Sequence, residues 1–136
     1  MVVVGGVEAV VKVMKTFPKC EMLQKLACRA LTNLSCNAPG EKKAIESGGI
    51  ELLLAAIHNH LNSAVVCETA CCALVNIIVV HGSKETKGLL ITLGGGAAVA
   101  KVRRKWLDND KVQTQVRQLV KCFATEWKAW DDEDKK

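Results

Sequence analysis

The sequence has 136 residues, enough for one hydrophobic core and too few for two ordinary domains. Its apolar residues are mostly Ala, Val, Leu and Ile, with two Phe, three Trp and no Tyr, and only two prolines interrupt long stretches free of helix breakers, a composition of close-packed α-helices. The formal net charge of +5 admits an acidic partner without requiring one, and the longest nearly apolar run, 70–80, contains Asn76 and is about half the ~20 residues of a membrane span. Seven cysteines would suit a secreted disulfide scaffold, but the number is odd and the stretch 1–13, with Gly5, Gly6, Glu8 and Lys12, has no basic leader region. The expectation is a reducing compartment, the cytoplasm or the nucleus.

In chain order, Val7, Val10, Val11 and Met14 follow helical spacing until Pro18 marks a stop, and Leu23, Leu26, Ala27, Ala30, Leu31 and Leu34 make a second apolar stripe. A brief helix is predicted over 41–47, before Gly48 and Gly49. Ile50, Leu53, Leu54 and Ile57 begin the next, and a longer one follows over 65–80. The plan recurs with helices over 84–93, 97–107 and 111–130, the first two separated by Gly94 to Gly96. A glycine pair between helices supplies the positive φ of a sharp turn without steric cost. The last six residues hold Asp131, Asp132, Glu133 and Asp134 against Lys135 and Lys136, and a disordered tail is expected over 131–136.

The chain also repeats itself. GGVE at 5–8 recurs as GGIE at 48–51, a shift of 43, and as the degenerate GGAA at 95–98. CRALTNL at 28–34 recurs as CCALVNI at 71–77, again shifted by 43, and weakly as RQLVKCF at 117–123, shifted by 46. Two landmarks sharing one offset predict a helical solenoid, one domain over 1–130 with units 1–37, 38–82 and 83–130.

The GG[IV]E opening and the A-L-x-N-[LI] stretch resemble the armadillo repeat family, over essentially the whole chain. HEAT repeats, the nearest competitor, have two helices per unit and no glycine pair placed this way. The resemblance implies an all-α, right-handed α-α superhelix of about two and a half to three repeats. Each unit has a short first helix, a second and a longer third, and the third helices line a concave groove that holds an extended peptide of a partner protein. Because the first unit lacks its short helix, a segment of a longer array is expected, with end-to-end pairing of copies through the 2–11 face as the alternative.

The resemblance also implies a ladder of asparagines on the third helices, because a primary amide offers both donor and acceptor to any peptide unit. Asn33 and Asn76 hold that position, and Cys122 takes it in the third unit. Four-residue steps extend the face to Lys25, Arg29 and Asn37, to Glu68, Cys72 and Val80, and to Thr114, Gln118 and Glu126. The peptide-binding candidates are therefore Asn33, Asn76, Arg29, Cys72, Lys25 and Gln118. The family's nuclear-import receptors carry a tryptophan four residues before the asparagine, where this chain has Arg29, Cys72 and Gln118. Its catenin-like members offer basic residues to acidic peptides, as Lys25, Arg29, Arg117 and Lys121 do in part. Asn33 and Asn76 can equally serve the fold itself by bonding a neighbouring helix.

No catalytic residues, metal site or cofactor are predicted. Cys67 and Cys71, one turn apart, and Cys28, His58, His60 or His81 lack the paired spacing of a zinc site. Cysteine is among the most buried residue types, so these and Cys20, Cys36 and Cys122 are assigned to the core. His58-Asn59-His60 closes a helix, 82–84 fails the P-loop pattern, and no nucleophile signature is present. Lys101, Arg103, Arg104 and Lys105 read as a solvated face rather than a nucleic-acid site, and Trp127 and Trp130 as packing at the end of the last helix. The expected partner is a protein or peptide, with no small-molecule substrate and no membrane. A self-assembling structural array and, more weakly, a nucleic-acid binder are the alternatives.

Overall fold

Three helices start where a side chain replaces a missing backbone partner of the first turn. The Asn37 side chain accepts from the Gly40 amide at 2.8 Å, Ser63 from Val66 at 3.3 Å and Asn109 from Val112 at 3.1 Å. The computed structural model describes residues 4–80, 84–123 and 126–129. Among them the chain is all-α: α1 (Val4–Thr16), α2 (Glu21–Leu34), α3 (Ala38–Glu46), α4 (Gly49–Asn59), α5 (Ala64–Leu74), α6 (Lys84–Thr92), α7 (Gly95–Lys105) and α8 (Asp110–Cys122), with a π-helical continuation of α5 over Val75–Val80 and no strand.

Two rows of helices enclose the core. α4 lies against α1 and α7 in one row, and α5 lies against α2 and α8 in the other. The short α3 packs on α1 and α4, and α6 on α7 and the π segment. Val7, Met14, Leu31, Ile50, Leu53, Ile57, Leu74, Ile77, Val99, Val116 and Leu119 are almost wholly buried between the rows. Each such side chain contributes about 1.5–3 kcal/mol of transfer free energy.

The glycine pairs divide two tasks. Gly48 and Gly94 take φ of 82° and 79°, the left-handed region, and each caps the helix that follows. Gly49 and Gly95 permit close approach: a Cβ on Gly49 would stand 2.7 Å from the Ala44 carbonyl oxygen, and one on Gly95 2.9 Å from that of Leu90 besides striking the Leu90 side chain.

Hydrogen bonds at the turn between α1 and α2 recur at shifts of 43 and 46 residues. The amides of Cys20, Ser63 and Asn109 donate to the carbonyls of Phe17, His60 and Trp106 at 3.2, 2.9 and 3.0 Å. The buried Gln24 amide reaches back from α2 to the carbonyls of Met14 and Phe17 at 3.2 and 2.9 Å, and Gln113 does the same from α8 to Arg103 and Trp106 at 3.0 and 2.8 Å. Cys67 holds the matching place on α5, its Sγ 3.7 and 3.6 Å from the carbonyls of His60 and Leu61. The turns are also tied to one another. His60 Nε2 lies 2.9 Å from the Pro18 carbonyl, which can only accept, so this nitrogen carries the proton, and Trp106 Nε1 donates to the Leu61 carbonyl at 3.0 Å.

Several sequence expectations change. Leu26 is 48% exposed, and the buried residue of that turn is Gln24, held in the core because both amide hydrogens are bonded. Asn37 is not on the third-helix stripe: α2 ends at Leu34, and Asn37 caps α3, with Pro39 in the first turn. The predicted helix over 111–130 is interrupted, since α8 ends at Cys122 and the C-cap Phe123 takes a non-helical φ of −116° and ψ of 38°, with 126–129 helical again. That leaves Glu126 beyond α8. Cys36 is exposed rather than core, one residue past the C-cap. The apolar face of α1 offered for pairing is covered, because Val7 and Val11 are buried against neighbouring helices. His81, Trp130 and the tail 131–136 lie outside the described residues, as do residues 1–3 and the side chains of Val4 and Val80.

Gly48→Ala should destabilise the chain by about 1 kcal/mol through its left-handed φ, and Gly49→Ala by about 2 kcal/mol or more through the carbonyl contact. Urea unfolding of both variants checks the order. Equal effects would mean that the close approach at Gly49 is relieved by a small shift of α3.

Candidate functional site

An α-helix turns 3.6 residues at a time, so four-residue steps drift by about 40° each, and a straight face alternates steps of four and three. On α2 this face is Met22, Leu26, Arg29 and Asn33; on α5 and its π segment Val65, Thr69, Cys72 and Asn76; on α8 Lys111, Gln115, Gln118 and Cys122. The same shifts of 43 and 46 relate the three sets. Met22, Leu26 and Val65 are 57%, 48% and 43% exposed, three of the seven large apolar residues that face solvent among the described residues. They have no place in the core, and their shared face is what needs explaining.

Between these helices lies an open cavity of about 290 Å³ lined by Arg29, Thr32, Asn33, Glu68, Thr69, Cys72 and Gln115. Of the residues predicted from sequence, it brings together Arg29 and Asn33, both exposed, and the half-buried Cys72. Lys25, Gln118 and Asn76 do not line it. Lys25 falls off the straight face because of the drift, and Gln118 is exposed on α8 while Gln115, one turn earlier, reaches the cavity. Thr32, Thr69 and Gln115 were missed. Thr69 and Gln115 could have been found by carrying Leu26 forward by the two repeat shifts.

The two asparagines differ. Asn33 is exposed at the cavity, and no hydrogen bond of its side chain occurs among the described residues. Asn76 is half-buried in the π segment, and its amide donates to the Thr32 carbonyl at 2.8 Å, with Cys36 Sγ at 3.9 Å. The last carbonyls of α2 have no intrahelical donor, so Asn76 caps that helix from its neighbour. Its amide oxygen alone remains open to a ligand. The Thr69 hydroxyl is spent on the carbonyls of Val65 and Val66, at 2.8 and 3.1 Å.

Four thiols are kept un-ionised by burial, which pushes Cys28 up to about 12 and Cys67 to about 11 and raises Cys71 and the cavity's Cys72 as well. At neutral pH they are poor nucleophiles. Among the described residues, no three His, Cys, Asp or Glu side chains cluster as metal ligands. Among the described residues, no helix is long and apolar enough to cross a membrane.

Two outcomes follow from this geometry. Asn76→Ala should cost about 1 kcal/mol of stability, and Asn33→Ala less than about 0.5 kcal/mol, measured by thermal unfolding. Because the folded Cys28 thiol titrates above its ordinary value of 9.0, its contribution is intact below pH 9 and lost as pH rises towards about 12. Stability should therefore fall through that window by about 1 kcal/mol per pH unit from this thiol, a slope that Cys28→Ala removes. An unchanged slope would remove the burial argument for Cys28.

No family model matches the chain, and no solved structure matches it. Among curated proteins the chain is similar to Protein aardvark of Dictyostelium discoideum, 35% identical over 66 residues. The alignment covers 42% of this chain and 9% of that protein, so the chain spans less than a tenth of the relative's length.

Proposed function

We propose that the chain is an armadillo-type array of about two and a half to three units, coiled as a right-handed superhelix, and that it is a non-enzymatic protein-interaction module. The row α2–α5–α8 receives an extended segment of a partner protein. One observation carries this reading: a single face, equivalent from helix to helix, combines exposed Met22, Leu26 and Val65 with a polar cavity that holds an unpartnered amide at Asn33. Apolar partner side chains would cover Met22, Leu26 and Val65, and the partner's backbone would pair with Asn33. Arg29 and Glu68 on facing helices offer one charge of each sign, which favours a mixed segment over a strongly acidic or basic one.

A self-assembling array is the second reading. It is favoured by Phe17 and Leu107, 48% and 59% exposed at the turns, where the counterparts His60, Trp106 and Leu61 are engaged with a neighbouring turn. The nucleic-acid reading loses support, since Arg103 and Arg104 are half-buried and engaged within the protein.

The test is affinity capture from the source cell with the wild type, the double variant Leu26→Ser, Asn33→Ala, and Ile91→Ala, which alters an exposed apolar residue away from this face. Captured partners should fall about tenfold for the double variant, the effect of losing one hot spot, and be unchanged for Ile91→Ala. Equal capture by all three would sink the groove reading, and a concentration-dependent oligomer that Phe17→Ser or Leu107→Ser dissolves would put self-assembly in its place.

A further inference from the structure

The crevice between the helices of the other row occurs twice, with different chemistry. Between α1 and α4 it is lined by Lys15, Ile45, Glu46, Ser47, Gly48, Glu51, Leu52 and Ala55, and Val11 lines an adjoining hollow that shares Lys15, Glu46 and Ser47 with it. The left-handed glycines Gly48 and Gly94 fix the register of the second copy, between α4 and α7. There Leu52 becomes Ala98, Glu51 becomes Ala97, Ser47 becomes Leu93 and Ala55 becomes Lys101. The half-buried Leu54 and the edge of the buried Ile57, the counterparts of Val11 and Met14, line a cavity of about 380 Å³ there. That volume falls within the range of small-ligand pockets, roughly 300–1,000 Å³.

The charge changes together with the shape. Glu46 and Glu51 border the first crevice, whereas no carboxylate lines the second, and Lys101 and His58 stand exposed at its edge. An apolar floor beside an ammonium group that has no ion-pair partner among the described residues selects a ligand that is apolar along its length and anionic at one end. Leu61 closes the floor, and its carbonyl is held by Trp106.

We propose that the α4–α7 crevice binds a small apolar monocarboxylate, with its hydrocarbon chain over Leu54, Ile57, Leu61 and Leu93 and its carboxylate at Lys101. This adds a small-molecule ligand to a chain whose sequence predicts protein partners alone, and it is independent of the groove on the opposite row.

The probe is octanoate, titrated into the methyl-labelled chain and followed by NMR. Saturable shifts confined to the methyls of Leu54, Ile57, Leu61, Leu93, Ala97 and Ala98 are expected. Ala98→Leu installs the residue that the preceding unit carries, so the variant should keep the wild-type Tm or exceed it while octanoate binding weakens about tenfold or more. Lys101→Ala should weaken octanoate about fivefold and leave octanol unaffected. Shifts spread over the whole surface, no saturable shift at these methyls, or undiminished binding by Ala98→Leu would each overturn the proposal. Should Ala98→Leu not fold, the contrast between octanoate and octanol in Lys101→Ala decides it, and equal weakening of both would count against it.

Discussion

The turn that joins α1 to α2, and its counterparts at 60–63 and 106–109, leaves carbonyl groups that no helix can satisfy. The chain settles them in two directions. A side chain from the following helix reaches back, as Gln24 and Gln113 do with two bonds each and Cys67 with a weaker pair. A ring N–H from the next turn then closes the contact, His60 onto Pro18 and Trp106 onto Leu61. A buried carbonyl left without a donor costs about 1–3 kcal/mol, so these bonds specify register and do more than add to a total. They fix how far each helix pair slides on the last, and the face formed by α2, α5 and α8 depends on that spacing.

Cysteine at 67 illustrates the trade. A thiol is a weak donor and leaves the second turn less firmly clamped than a glutamine does, but it is small enough to fit where the three cysteines Cys28, Cys67 and Cys71 are wholly buried. Trp106 compensates from outside by holding Leu61. The exposed apolar residues of the other row have no such structural partner. Met22, Leu26 and Val65 face solvent because their helices have already turned their core faces inward, and this surplus is the basis of the proposed partner-binding role.

Much of the architecture was legible in the residues. The glycine pairs marked helix starts because nothing else tolerates both the positive φ at Gly48 and Gly94 and the close carbonyl at Gly49, and the apolar periodicity located the helices within a few residues except at the end of α8, which stops at Cys122 rather than 130. Gln24 and Gln113 were not legible as core, since a glutamine in an amphipathic helix looks like surface until its partners are known. Leu26 failed for the converse reason. Asn37 could have been read correctly, because asparagine two residues before a proline is a helix-start signal that outweighs its place on a four-residue ladder. At the site, Asn33, Arg29 and Cys72 came from the repeat pattern, and Thr69 and Gln115 were within its reach from Leu26, while Thr32 depends on helix rotation, which the pattern of identities does not encode.

If the turn bonds set the stacking of the proposed array, breaking one should loosen the chain locally rather than everywhere, since units of such an array touch only their neighbours. Native-state hydrogen exchange of Trp106→Phe tests this most directly. The account predicts faster exchange in α7 and α8, with the amides of α1 and α2 as protected as in the wild type. Uniform acceleration along the chain, or none in α7 and α8, would contradict it.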